Sequence, residues 1–414
     1  MRNSNILKPY SGLPKSIYVI FFARIINSMG SFVHPFLTLF LTKSLGLGIE
    51  TVGLFLMMAA VSSIPGALIG GKLSDHIGRK KVIIISQGLA AMCLIPCAFL
   101  GKSLIVPYLL ILSSFFGGAA QPPNSAMMAD LTTTKNRKAA YSLLYLGINI
   151  GFSLGPLIAG FLYNNHMKIL FLGDAATTIL SLVLVAVFVE ETLPDKAITC
   201  DKVSTDFYSE TEKAQDGSLF SVLLKRPYLV AFAMVSMIYS FMYAQHCFII
   251  PMQMDTLFSS RGPKLYGSLM AINGLVVVTM TTIITVVTKK LRPILNITLA
   301  GLFFSLGFGM LFLAKTYLVF IISTIIWTIG EILSATNSGV YIANHTPMSH
   351  RGRFNAVLPL ITGTGFAVGP FIMGLFIRNR EINSAWILVF FVGITASTLM
   401  YLLYLNEKKK EIQN

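Results

Sequence analysis

Charge is what this sequence has least of. Only 12% of its 414 residues are Asp, Glu, Lys or Arg, and acids are the scarcer kind, 17 against 32 basic residues. Soluble domains carry roughly 25% charged and about 45–50% apolar residues. Here 54% of the residues are hydrophobic, an excess that a soluble core cannot absorb. Cysteine is sparse too: Cys93 and Cys97 lie one helical turn apart in an apolar run, Cys247 in another, and Cys200 in a polar stretch. Those spacings exclude a disulfide framework and a zinc-type ligand set, so no metal and no cofactor are expected. No G-x-x-x-x-G-K-[ST] loop is present, which argues against direct nucleotide drive. No small-residue cleavage site follows the basic N-terminus, so the first apolar run is expected to remain as a span and not to be removed as a signal peptide. A net charge of +15 does not point to nucleic acid, because the basic residues are dispersed among short connections without a continuous patch.

What the sequence has in abundance is long apolar runs. Hydropathy places spans near 17–43, 51–73, 82–100, 104–130, 139–163, 168–189, 229–254, 265–288, 294–314, 317–345, 354–377 and 384–405. Runs of about twenty apolar residues suit helices crossing a bilayer, where only a helix or a closed barrel satisfies its own backbone. Barrel strands alternate over about ten residues, and these runs do not. The expected fold is an all-α membrane protein of twelve transmembrane helices. Lys and Arg in alternate connections number 23 on one side against 8 on the other. Positive-inside logic therefore puts both termini, and the longest connection with Cys200, in the cytoplasm.

That connection, residues 190–228, carries eight acids and too few apolar residues to build a core. It reads as a solvated linker between an N-terminal six-helix bundle, 1–189, and a C-terminal one, 229–414. The two halves repeat: GFSLGPLIAG at 151–160 matches GFAVGPFIMG at 365–374, and the same offset of 214 pairs Arg137 with Arg351. Parallel six-helix repeats related by a pseudo-two-fold axis are an architecture of secondary transporters, with the substrate site between the halves.

Residues 71–80 read GKLSDHIGRK, between the second and third spans. This stretch resembles the G-x-L-x-D-x-x-G-R-K signature of the major facilitator superfamily. The resemblance implies that Gly71 and Gly78 shape the turn, that Asp75 docks on the N-terminal end of span eleven, and that Arg79 pairs with an acid ending span four, here Asp130. Together these residues would latch one global state. The span-five run, with Gly151, Gly155, Pro156 and Gly160, resembles the G-x-x-x-G-P motif of the drug/proton antiporter branch; its copy in span eleven carries Gly369 and Pro370. Both runs can serve as a gating hinge or as plain helix packing. WTIGE at 327–331 with P-x-x-x-R-G at 347–352 resembles span ten and its following loop in bacterial multidrug exporters. One feature departs from that branch: the Arg usual in span four is absent, and Ser113 and Ser114 stand in its region.

Three formal charges fall well inside the spans: Arg24, Asp174 and Glu331. A charge in lipid is costly, so each should face a partner or a watery cavity, and a peripheral structural role is expected for Asp174. Polar residues line one face of four spans at i+3 and i+4 spacings. Span one carries Arg24, Asn27, Ser28, Ser31, His34, Thr38 and Thr42, and span four Ser114, Gln121, Asn124 and Ser125. Span seven carries Ser236, Tyr239, Tyr243, His246 and Gln253, and span ten Thr324, Thr328, Glu331, Ser334, Ser338, Tyr341 and His345. The family resemblance implies that these four spans line the central cavity; helix-to-helix hydrogen bonding is the plainer role for any single Ser or Thr. By depth, Arg24 and Glu331 are close enough to pair across such a cavity.

The function expected is proton-coupled efflux of hydrophobic or amphipathic compounds by alternating access, with the proton gradient as energy source. Transport of a specific metabolite is the alternative, and a non-transporting membrane sensor a third. Expected partners are a small-molecule substrate, protons and membrane lipid; a monomer is expected in the plasma membrane.

Overall fold

A computed structural model describes residues 11–133, 136–193, 226–346 and 351–413. The chain is helical nearly throughout, with no strand among the described residues. Eleven stretches are long and apolar enough to cross a membrane, and one of them, Pro227–Thr288, is 62 residues long. At about 1.5 Å per residue that stretch would measure roughly three times the ~30 Å hydrocarbon thickness. It is in fact two helices, Pro227–Phe258 and Gly262–Thr288, joined by the turn Ser259–Arg261, where Ser259 takes a positive φ of 49°. The spans are therefore twelve.

Span one is Lys15–Ser44. Spans two to six are Ile49–Ile77, Arg79–Leu100, Ile105–Asp130, Arg137–Leu162 and Met167–Phe188. Spans seven and eight are the pair just given; spans nine to twelve are Pro293–Gly309, Tyr317–His345, Arg351–Ile377 and Ser384–Gln413. Most begin and end within a few residues of the hydropathy boundaries, because the apolar runs themselves fix the helices. The last helix runs past 405 to Gln413, since Glu407, Lys408, Lys409 and Lys410 continue it as a polar final turn. Most of the linker, residues 194–225 with Cys200, lies outside the described residues.

Span one corrects the expectation of an unbroken polar face. Its helix stops at Met29, turns at Gly30–Phe32, and restarts as Val33–Leu39 with a π-helical turn Phe40–Ser44. Gly30 presses so closely on Thr177 of span six that a Cβ there would overlap the threonine side chain. The restarted helix leaves the Val33 N–H without an intrahelical partner, and Asp174 Oδ2 accepts it at 3.2 Å. Asp174 is thus a helix cap inside the membrane. Beyond the break Thr38 is buried, only 1% exposed, and so does not continue a wet stripe.

The helices fall into two compact units: residues 1–199 with 254–278, and residues 200–253 with 279–414. The grouping differs from the sequence division at 229 in one segment, Met254–Val278. That segment joins the first unit through close backbone contact with span five. A Cβ on Gly160 would stand 2.7 Å from the Pro263 carbonyl, one on Gly274 would stand 2.6 Å from Ser153 Cβ, and one on Gly267 would overlap the Pro156 carbonyl. Lys43 pairs with Asp255 at 2.6 Å, and the Asn164 side chain donates to the Ser260 carbonyl at 2.7 Å. Lipid tails give no hydrophobic drive between helices, so small residues that let backbones approach do the packing.

In the second unit the core is aromatic. Phe308 stacks on Trp327 at 5.5 Å and on Trp386 at 5.9 Å, both tryptophans fully buried. Gln253 is locked there: its amide donates to the Leu311 carbonyl and to Asn383, and its oxygen accepts from the Trp386 indole.

Candidate functional site

In the second unit, spans seven, nine, ten and eleven line an open cavity of about 330 Å³. Span seven presents Phe232, Ser236, Tyr239, Ser240 and Tyr243, and span ten presents Glu331, Ser334 and Ser338. These are i, i+3, i+4 and i+7 positions, which a helix places on one face. Phe304, Thr362 and Phe366 close the remaining walls. Glu331 is half-buried and, among the described residues, is the one carboxylate on the lining. The Ser236 hydroxyl is buried without a hydrogen-bond partner among the described residues. Tyr243 anchors the aromatic wall, 6.1 Å from Phe304, 6.4 Å from Phe366 and 5.9 Å from Trp327.

Three residues expected in the cavity lie behind it. His246 donates from Nδ1 to the Tyr243 carbonyl at 2.6 Å and packs on Tyr243 and Trp327. Thr324 and Thr328 are fully buried in span ten. Tyr341 is turned away as well: its hydroxyl donates to Glu407 of span twelve.

In the first unit, Arg24, Asn27 and Asn124 gather at a recess of about 20 Å³, together with Gln87 of span three and Ser181 of span six. Asn27 donates to Thr178 Oγ1 at 3.1 Å, whereas Asn124 spends its amide on the Ala120 carbonyl one turn back. Gln121 and His34 are exposed and do not line the recess. Ser113, standing where an Arg is usual, donates to the Ala90 carbonyl at 3.0 Å and ties span four to span three. Arg24 belongs to the first unit and Glu331 to the second.

The loop between spans two and three is a charged node. Gly78 holds φ at 107°, a conformation that favours glycine. This turn brings Arg79 Nη1 3.1 Å from Asp75 and 2.9 Å from the Ser74 carbonyl, with Nε 3.5 Å from Asp130 at the end of span four. The Arg79–Asp130 contact is a charge pair without hydrogen-bond alignment, since Nε has no aligned acceptor. Gly71, one turn before Asp75, lies against Pro122 of span four. Glu191, the residue that sequence reasoning missed, completes the node. Its Oε1 accepts the Arg79 N–H at 2.7 Å and its Oε2 the Lys80 N–H at 3.1 Å, capping span three. Partial burial pushes the Glu191 carboxyl up, but the N–H groups of Lys80, Thr192, Arg79 and Leu193 bring it below its ordinary value. Thr192 in turn donates to Asp130 at 3.2 Å. The sequence signal was slight: an acid at the first turn of a linker, where periodicity has ended.

The two glycine-proline runs do matching work inside their own units. A Cβ on Gly151 would stand 2.5 Å from the Ile25 carbonyl and one on Gly155 2.7 Å from that of Met29, so span five lies flush on span one. Gly365 meets the Met237 carbonyl and Gly369 approaches Ala244, so span eleven lies flush on span seven. Pro156 differs from Pro370 in that its carbonyl also faces Gly267 of span eight. Residues 347–350 of the P-x-x-x-R-G stretch lie outside the described residues.

Twelve apolar helices define a multi-pass integral membrane protein. The family model described as the Major Facilitator Superfamily matches residues 20–347 and 248–414, and the chain belongs to that superfamily. It is a membrane transporter and not an enzyme. Among curated proteins it is similar to a Na(+), Li(+), K(+)/H(+) antiporter of Planococcus maritimus, 22% identical over 82% of this chain and 84% of that protein. An uncharacterised MFS-type transporter of Bacillus subtilis (strain 168), YttB, is 24% identical over 94% and 96%. The quinolone resistance protein NorA of Staphylococcus aureus (strain N315) is 26% identical over 45% of this chain and 47% of its own. Among solved structures, a POT family transporter in complex with 5-aminolevulinic acid covers 97% of both chains with a TM-score of 0.78 at 16% identity. That likeness concerns the fold alone.

Proposed function

We propose that the protein is a proton-coupled secondary transporter of the plasma membrane that exports hydrophobic or amphipathic cations by alternating access. The observation that carries this reading is Glu331 in an aromatic-walled cavity. One carboxylate can hold a proton or a cation but not both, so the two must alternate. The faces of Tyr243, Phe304 and Phe366 favour a cation that is also apolar, through cation–π attraction. Ser236, Ser240 and Thr362 supply hydrogen bonds without fixing one substrate shape. With no Arg in span four, Glu331 is the group in a span that is assigned the coupling proton. A membrane potential adds roughly 2.3 kcal/mol per net charge moved per 100 mV. The charged node at Gly71, Asp75, Gly78, Arg79 and Asp130 is the element whose making and breaking would bias the two global states.

Exchange of monovalent inorganic cations for protons is the second reading, favoured by the Planococcus maritimus relative. Reconstituted vesicles with an imposed pH gradient separate the two. Cationic dyes should discharge the gradient and be accumulated, while sodium and potassium salts leave it intact. Discharge by the salts alone would select the inorganic reading, and movement of a single neutral metabolite would replace both.

A further inference from the structure

We propose that the groove between spans nine and twelve binds an anionic phospholipid, with an acyl chain along the groove and the phosphate among basic residues at its mouth. The groove has a volume of about 390 Å³ and lies wholly within the second unit. Leu291, Leu295, Leu299 and Leu302 form one wall, and Tyr401 stands on the other. The leucines recur at i+4, i+4 and i+3, which places them on one face. Leu291, Leu302 and Tyr401 are exposed at 42%, 37% and 45%, so the groove opens outward from the helices.

The polar residues in the groove do not call for a polar ligand. Thr298 donates to the Ile294 carbonyl at 2.9 Å, Ser397 to the Thr298 carbonyl at 2.8 Å and Thr398 to the Ile394 carbonyl at 2.9 Å. None of the three has a donor left for a ligand. The length of the groove suits an acyl chain. Span nine starts at Pro293. From there to Leu302 is roughly 14 Å at about 1.5 Å per residue, against the ~15 Å of hydrocarbon in one leaflet.

The mouth is aromatic and basic. Tyr401 packs on Tyr404 with ring centroids 5.9 Å apart, and Arg292 stands 6.0 Å over the Tyr404 ring. Tyrosines are enriched at headgroup depth, where the ring is in the apolar layer and the hydroxyl in the polar one. Lys289 and Lys290 are exposed in the turn that leads into span nine, and Lys408 is exposed two turns beyond Tyr401 on the same face of span twelve. Residues 289–292 and 407–411 hold six basic residues against two acids, Glu407 and Glu411. Glu407 is turned aside, since it accepts from the Tyr341 hydroxyl of span ten. No acid stands in the first turn of span nine. Charge at the mouth therefore selects an anion, and the apolar groove selects one that carries a hydrocarbon chain. The asymmetry of basic residues assigns this mouth to the cytoplasmic leaflet, where basic pockets between helices hold anionic headgroups.

Lipid titration of the purified full-length protein in an uncharged detergent tests the site. The readout is the lipid concentration that gives half of the full rise in Tm, for phosphatidylglycerol and for phosphatidylcholine of the same chains. Wild type should respond to phosphatidylglycerol at the lower concentration. Lys289→Gln and Lys290→Gln should each weaken phosphatidylglycerol by roughly fivefold and leave phosphatidylcholine unchanged. Lys15→Gln, which removes an exposed cation at the start of span one, should change neither. Leu299→Trp, which fills the groove, should weaken both lipids while the preference for the anionic one persists. Should that variant fail to accumulate, Leu302→Trp at the exposed far end supplies the same comparison. Inorganic phosphate should neither raise Tm nor displace the lipid. Equal midpoints for the two lipids in wild type, or an unaltered phosphatidylglycerol midpoint in the Lys289→Gln/Lys290→Gln double variant, would overturn the proposal. So would wild-type affinity in the groove-filled variants, or a full rise in Tm with phosphate alone. No transported substrate enters this measurement, so its outcome is separate from that of the efflux reading.

Discussion

A side chain at position 78 would run into the carboxylate of Glu191: the Cβ of an alanine there would stand 2.7 Å from Glu191 Cδ. The glycine and the acid are parts of one device, in which the first turn of the linker reaches back to cap span three across 112 positions of sequence. Loss of a helix cap shifts a conformational equilibrium on the order of fivefold. Gly78→Ala and Glu191→Ala should each slow transport by that order at unchanged substrate affinity. The Glu191 carboxyl lies below its ordinary value. Its contribution is therefore fully present above the ordinary carboxylate range and fades only as pH falls through the lowered value. The Glu191→Ala deficit should accordingly be flat from about pH 6 to about pH 8, and a deficit that disappears within that interval would contradict the cap.

Asp75 and Arg79 act through the same loop. Arg79 is held by Asp75, the Ser74 carbonyl and Asp130 at once, which a lysine ammonium on a flexible stem does not reproduce. Arg79→Ala, Arg79→Lys and Asp75→Asn should reach the membrane in near-normal amounts and transport about tenfold more slowly, within the usual range of a coupling free energy. Wild-type rates in all three at equal expression would reduce the loop to a topology signal.

Inside the membrane, Asp174 is predicted to act in stability. Replacing a capping acid by alanine costs about 1–2 kcal/mol, and Asp174→Ala leaves the Val33 N–H unpaired. Asp174→Asn keeps an acceptor oxygen. Thermal unfolding of the purified variants should rank wild type and Asp174→Asn above Asp174→Ala; an alanine variant as stable as wild type would remove the cap from the account.

Orientation follows from the asymmetry of 23 against 8 basic residues. An impermeant thiol reagent should leave Cys200 unlabelled in intact cells and label it after permeabilisation. Labelling without leakage would invert the topology.

The spans were legible because apolar runs and helix length are both local properties of the chain. The span-two loop was legible because its glycines and charges sit within ten consecutive residues. What escaped depends on partners far away in sequence. Span one breaks where Asp174, 141 positions on, can cap the restart. Tyr341 and His345 share a helix face with Glu331, yet their groups are drawn off by Glu407, 66 positions from Tyr341. Phe304 and Phe366 of the cavity wall were unmarked among 30 phenylalanines, since nothing in an apolar run separates a ring facing a cavity from one facing lipid.

The central claim is that one carboxylate, Glu331, exchanges a proton for a cationic substrate. Its repeat partner at the offset of 214 is Gly117, so it is an addition to the duplicated scaffold. The direct measurement is pH-gradient-driven movement of a cationic dye in vesicles, normalised to folded protein, for wild type, Glu331→Gln and Glu331→Asp. The account predicts that the glutamine variant, a neutral near-isostere, still binds or exchanges substrate down its own gradient but no longer couples to protons. The aspartate variant should retain part of the coupling. Coupled transport at the wild-type level in Glu331→Gln would contradict the account.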